Sequence, residues 1–147
     1  MDNEGITFSQ RELLEAAEGN ATAFIMATIS YLQEKNLSTA DWARFVGDKF
    51  APSKDEVKDR GVDEIARAVA LNLAATGGRL FSFAADQAEA EIVALWPADE
   101  EWLSEANLQR TDIQPVLEVF TPIAERLGIN MESQMEKEGR TVIKLRH

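Results

Sequence analysis

The chain has 147 residues, the size of one domain, and a domain of this length buries roughly 68–70% of its unfolded surface without help from a metal or a disulfide. With 45% hydrophobic and 28% charged residues, its composition excludes disorder. Acids outnumber bases 26 to 15, for a net charge of −11; cysteine is absent and the only histidine is the last residue, His147. These counts exclude a thiol nucleophile, a Cys/His zinc site, a disulfide and an internal Ser–His–Asp triad.

In chain order, the first predicted element is a helix entered through Ser9 and Glu12, which have capping-box spacing, with Phe8 and Leu13 at hydrophobic-staple positions. Leu14, Ala17, Ala21, Phe24, Ile25, Thr28 and Leu32 recur at helical spacing and predict its core-facing stripe. Gly19-Asn20 predicts a bend, and Lys35-Asn36 predicts the end. A short second helix is capped by Ser38 or Thr39, buries Trp42, Phe45, Val46 and Phe50, and stops at Pro52. A third starts near Ser53, breaks at Gly61 and resumes at Val62. Its inner face is Ile65, Ala66, Val69, Leu73 and Ala74, and Gly77-Gly78 ends it.

The periodicity then changes from helical to alternating. Phe81, Phe83 and Ala85, and after Asp86-Gln87 the positions Ala90, Ile92, Ala94 and Trp96, predict a β-hairpin closed by Pro97. Residues 99–106 predict a helical turn holding Trp102 and Leu103. A fourth helix is expected from about Thr111 to Leu127, with Pro115 in its first turn and a kink at Pro122, where the amide that would bond the Glu118 carbonyl is missing. Leu127-Gly128-Ile129 has the pattern of a glycine cap, and residues 129–136 and 140–146 form a second hairpin about Gly139. The expected fold is α+β: N-terminal helices packed on a four-stranded antiparallel sheet of two hairpins separated by a helix. The expectation is a single domain over 1–147, with a helical layer at 8–77 and a hairpin–helix–hairpin layer at 79–146.

Charge and targeting narrow the setting. No Lys or Arg lies between Arg79 and Arg110, a stretch that carries seven acids, so this face repels phosphate backbones and argues against nucleic-acid binding. Ser38 to Asp48 loosely has a helix-turn-helix outline but only Arg44 and Lys49 as nearby bases, too few for DNA. The opening Met-Asp-Asn-Glu-Gly-Ile lacks a basic segment and a long apolar run, so neither a secretory signal nor a membrane span is expected. The absence of cysteine fits a cytoplasmic protein.

The strand ending in Leu95-Trp96-Pro97, the amphipathic helix ending in Leu127-Gly128 and the closing hairpin through Gly139 to Leu145 resemble, in layout, small prokaryotic ligand-binding domains of the 4-vinyl reductase class, which are related in fold to a vesicle-tethering subunit family. The likeness covers residues 79–146. It implies an apolar small-molecule pocket and often a dimer. That family often carries cysteines for metal binding; this chain has none, and no functional residue carries over.

From the residues themselves, the aromatic set Trp42, Trp96, Trp102, Tyr31, Phe45, Phe81 and Phe83 suffices to line an apolar pocket between helices and sheet, with Asn72, Arg79, Glu118 or Tyr31 as its polar groups. Glu118 is the candidate catalytic residue, since an inward-facing carboxylate beside Leu117 and Val119 is desolvated and suited to proton transfer. Glu89 and Glu91 share one strand face and form a candidate cation pair, but no calcium loop accompanies them. Gly77-Gly78-Arg79 is a helix stop and not a phosphate loop. No metal or cofactor is called for. Three readings stay open: a module binding an apolar or aromatic small molecule, a cofactor-free isomerase, lyase or hydrolase using Glu118 as base, and an interaction subunit that buries an aromatic patch in a homodimer.

Overall fold

Ser9 caps the first helix, α1 (Gln10–Glu34), by accepting from the Glu12 amide (3.1 Å), while the Glu12 carboxylate accepts from the Ser9 amide (2.7 Å). The structure, a computed structural model, describes residues 5–147; Met1–Glu4, which open the segment read for a secretory signal, lie outside the described residues. α1 passes through Gly19-Asn20 without a break and ends at Lys35, with Asn36 left-handed at φ +55°. Its buried residues are Thr22, Met26, Ile29 and Leu32, so the expected stripe is corrected: Leu14 and Phe24 are exposed, and the inward face lies to one side of them.

Helix α2 (Thr39–Phe50) is capped by Ser38, whose hydroxyl accepts from the Asp41 amide. It turns the small residues Ala43 and Gly47 inward. Phe45 and Phe50 are more than half exposed, contrary to expectation, because a Cβ at Gly47 would collide with the Val119 carbonyl. The helix axis therefore approaches the 114–119 segment too closely for a large residue on that face. Pro52 does not stop the winding; it sits in the first turn of a 3-10 stretch, Ala51–Val57, where its missing amide costs nothing. Helix α3 (Val62–Ala75) follows, burying Val62, Ile65, Ala66, Val69, Ala70 and Leu73.

The hairpin β1 (Arg79–Ala85) and β2 (Glu89–Leu95) turns at Asp86, whose carboxylate accepts from the Ala88 and Glu89 amides. After it come α4 (Glu100–Glu105) and α5 (Arg110–Ile113). The expected fourth helix is not continuous. Its start lies one position earlier than Thr111, with the Asp112 carboxylate accepting from the Gln109 amide (2.7 Å). The middle, Gln114–Val119, is 3-10, and only α6 (Phe120–Leu127) is α-helical again. Pro115 opens the 3-10 stretch, and Pro122 falls in the first turn of α6 in place of an interior kink. Gly128 ends α6 at φ +70°.

Strands β3 (Asn130–Met135) and β4 (Thr141–Arg146) complete a fully antiparallel sheet of order β1-β2-β4-β3, turning through Glu138 and Gly139, both left-handed. The fold is α+β, with the N-terminal helices the sequence called for. Ile92 lies opposite Ile143 and Ala90 opposite Leu145, and these four buried residues form the sheet's inner face under α3. A bulge between Leu80 and Ser82 breaks the alternation in β1, and as an edge strand β1 is exposed throughout, Phe83 included. A second, smaller core cluster joins Met26 and Ile29 of α1 to Leu103, Leu108, Ile113 and Val116. Among the described residues no helix is long and apolar enough to cross a membrane.

The Arg126 guanidinium on α6 reaches the 3-10 stretch after α2, donating to both oxygens of Asp55 (2.6 and 2.8 Å). These hydrogen bonds hold the Asp55 carboxyl below the usual aspartate range; desolvation opposes them, and the charges of Arg126 and Lys58 add to them. A carboxyl lowered on folding stabilises the fold above its unfolded pKa, and that contribution is lost as pH falls through the lowered folded value. Asp55→Asn should therefore be less stable than the parent at neutral pH, with the gap closing below the ordinary aspartate range. Chemical denaturation across pH checks this; a gap that stays constant would show that the pair contributes nothing through charge.

Candidate functional site

A cleft of about 480 Å³ opens within the helical layer. Ala43, Val46 and Phe50 of α2 form one wall. Val116, Leu117, Val119, Phe120 and Ile123 form the opposite one. Leu73 and Thr76 at the end of α3, Ile25 of α1, and the indoles of Trp42 and Trp96 close the remainder. The volume suits a small organic molecule, and the lining is apolar apart from Lys54, Asn72 and Thr76. An apolar pocket was expected between helices and sheet; this cleft lies among helices, since α3 covers the sheet's inner face and, among the described residues, Trp96, just past β2, is the one lining residue from the hairpin side.

Local sequence explains each wall. Pro115 and Pro122 bracket a stretch that winds as 3-10 and then α, so the apolar residues of 116–123 do not fall on one clean helical stripe; some face the cores and some line the cleft. Gly47 lets α2 approach that stretch. The Trp96 indole is fixed from behind: its N–H donates to the Thr76 carbonyl (2.9 Å), with the Thr76 hydroxyl 3.0 Å away. The buried Thr22 hydroxyl of α1 stands 2.8 Å from the same carbonyl and 2.8 Å from that of Glu18. Gly77 follows at φ +90°, where a Cβ would lie 2.7 Å from the Thr22 hydroxyl. Trp96 thus packs against both core clusters and stands between them.

Behind Trp96, Arg110 is 13% exposed at its side chain and donates to the carbonyls of Trp96 (3.3 Å) and Pro97 (2.9 Å), across a cis peptide bond, while pairing with Glu100. It is a structural clamp on the turn that presents the indole.

Of the residues singled out from sequence, Trp42, Asn72 and Trp96 meet in the cleft. The others do not join them. Tyr31 and Trp102 share a shallow depression on the far side of α1, with Trp102 half-buried against the smaller core cluster. Phe45 is 61% exposed beneath Lys49, Arg79 lies over the exposed ring of Phe81, and Phe83 is on the open edge strand. Glu118 faces outward: it is 41% exposed at its side chain, accepts from Arg44 Nε (3.0 Å) and stands 3.2 Å from the Thr121 hydroxyl. The inward, desolvated placement on which a general base at this position depends is absent, because the 3-10 winding directs Val116 and Leu117 inward and leaves Glu118 at the rim. Glu91 pairs across the sheet with Lys144 (3.8 Å), as expected of a solvated outer face.

Sequence reasoning missed Ile25, Lys54, Thr76 and the 116–123 wall. The wall had a signal in its apolar run between two prolines; Lys54 and Thr76 had none, being ordinary residues of helix ends. No family model matches the chain, and no curated protein matches it.

Replacing Trp96 by Phe removes the indole donor while keeping a ring in place. The expected cost is about 1–2 kcal/mol in chemical denaturation, from the lost hydrogen bond and the missing ring volume. A neutral result would mean that the Thr76 junction does not hold the indole.

Proposed function

We propose that the protein is a small-molecule-binding module whose ligand occupies the cleft between α2 and residues 116–123. The observation that carries this reading is an apolar opening of about 480 Å³ with two indoles, Trp42 and Trp96, in its lining. Such space costs stability when nothing fills it, since its lining forgoes dispersion contacts. The ligand's chemistry follows from the few polar groups. Lys54 lines the cleft and takes part in none of the ion pairs formed among the described residues. In a chain of net charge −11, a cation without a carboxylate partner beside an apolar opening suits a ligand with an apolar body and one anionic end. The layout resemblance to 4-vinyl reductase-class domains is consistent with ligand binding, and the absence of cysteine supports a cytoplasmic setting. The base-catalysed alternative loses its support with Glu118 at the rim, paired to Arg44.

The test uses straight-chain carboxylates from hexanoate to decanoate, followed by tryptophan fluorescence. Each added methylene should tighten binding about fourfold until the cleft is filled, the equivalent of about 0.8 kcal/mol per buried CH₂. Lys54→Gln should weaken the carboxylates while leaving the matching alcohols unchanged, and Val46→Phe should weaken both. Fluorescence that is flat across the series, or affinity that ignores chain length, overturns the reading.

A further inference from the structure

Helix α1 carries two apolar faces; this chain buries one of them and leaves the other largely open, with only its Ala21 and Thr28 half-buried. The inward face is Thr22, Met26, Ile29 and Leu32. The other runs Leu14, Ala17, Ala21, Phe24, Thr28, Tyr31, at alternating intervals of three and four residues, the spacing of a coiled-coil seam. Leu14 is 70%, Phe24 75% and Tyr31 56% exposed. Over its first half, α1 buries nothing: every residue from Gln10 to Glu18 is exposed, and the helix reaches the core only at Thr22. A free helix of about twelve residues is marginal in water, so a stable arm of this length needs a neighbour.

We propose that the neighbour is a second copy of this chain, with the two α1 helices packed antiparallel along this seam. The seam is self-complementary in one register. With Ala21 of one copy opposite Phe24 of the other, the two central layers each set a ring against a methyl group, Ala17 meets Thr28, and Leu14 meets Tyr31 in the two outermost layers. Parallel pairing would stack Ala17 on Ala17 and Ala21 on Ala21, leaving two adjacent layers underfilled. The flanking acids Glu18 and Glu34 meet Ile25 and Leu13 in the antiparallel register, so no two acids oppose each other in a strongly acidic chain. The four aromatic rings cover on the order of 500 Å², and the leucines and alanines bring the seam to about 1,000 Å², where association becomes specific. Each projecting arm then rests on the other copy's Phe24–Tyr31 stretch.

Light scattering over a concentration series should show a dimer at about 0.1 mM that dissociates on dilution. Phe24→Glu and Leu14→Glu should each weaken it at least tenfold with the melting temperature of the monomer unchanged, since neither side chain enters the core. Leu14→Glu lies wholly within the arm, so it decides the matter even where Phe24→Glu disturbs folding. The chain's lack of cysteine makes the register testable. A mixture of Ala17→Cys and Thr28→Cys chains should oxidise to the mixed disulfide, whereas Ala17→Cys alone should not, its two copies lying about 16 Å apart along the axis. A monomer throughout overturns the proposal. So does a dimer that survives both glutamates and dissociates in Phe83→Lys, which would place the contact on the β1 edge. Self-linking of Ala17→Cys overturns the antiparallel register.

Discussion

The carbonyl of Thr76 joins three parts of the molecule that are distant in sequence. The Trp96 indole donates to it, the Thr22 hydroxyl of α1 stands within hydrogen-bond distance, and Gly77 follows in a conformation that leaves room for Thr22. A helix's last carbonyls lack partners within the helix, so the end of α3 accepts from outside. That need locks α1, α3 and the end of β2 together at one point. Because Trp96 borders both core clusters, the same junction determines where the clusters meet and where they leave space.

The space is a consequence of winding. α2 can approach the 114–119 segment only because Gly47 has no side chain, and Ala43 beside it is also small. The facing segment is 3-10 between residues 114 and 119, and three residues per turn cannot keep a single apolar stripe aligned with an α-helix. Two surfaces that are each apolar but mismatched in pitch meet without interdigitating fully, and the cleft lies between them. Arg110 holds the other side firm by clamping the Trp96–Pro97 turn.

α1 behaves differently from the rest. Elsewhere the large apolar residues that remain exposed either stand singly or, as Leu80, Phe81 and Phe83 do, lie on the short edge strand β1, while α1 places a regular row of them on a helix whose first half is unsupported. A heptad row and a core stripe look alike in sequence, since both keep intervals of three and four. The structure separates them by about a third of a turn of helix.

Much of the fold was legible in the residues alone. The Ser9–Glu12 box, the hairpin turns at Asp86 and Gly139, the Gly77 and Gly128 stops and the alternation of β2 are local features, decided by hydrogen bonds and dihedral limits within a few residues. Trp42, Asn72 and Trp96 were named only within a wider set of eight pocket residues, and nothing in the sequence separated these three, which line one cleft, from the five that lie elsewhere. What only the tertiary structure decided was direction. Which face of α1 turns inward, that Phe45 and Phe83 point outward, that Glu118 stands at the rim and that Lys54 and Thr76 line the cleft all depend on how helices of different pitch approach one another. Periodicity states that a face exists; the partner against which it packs, separated in sequence by up to a hundred residues, selects the face that is buried.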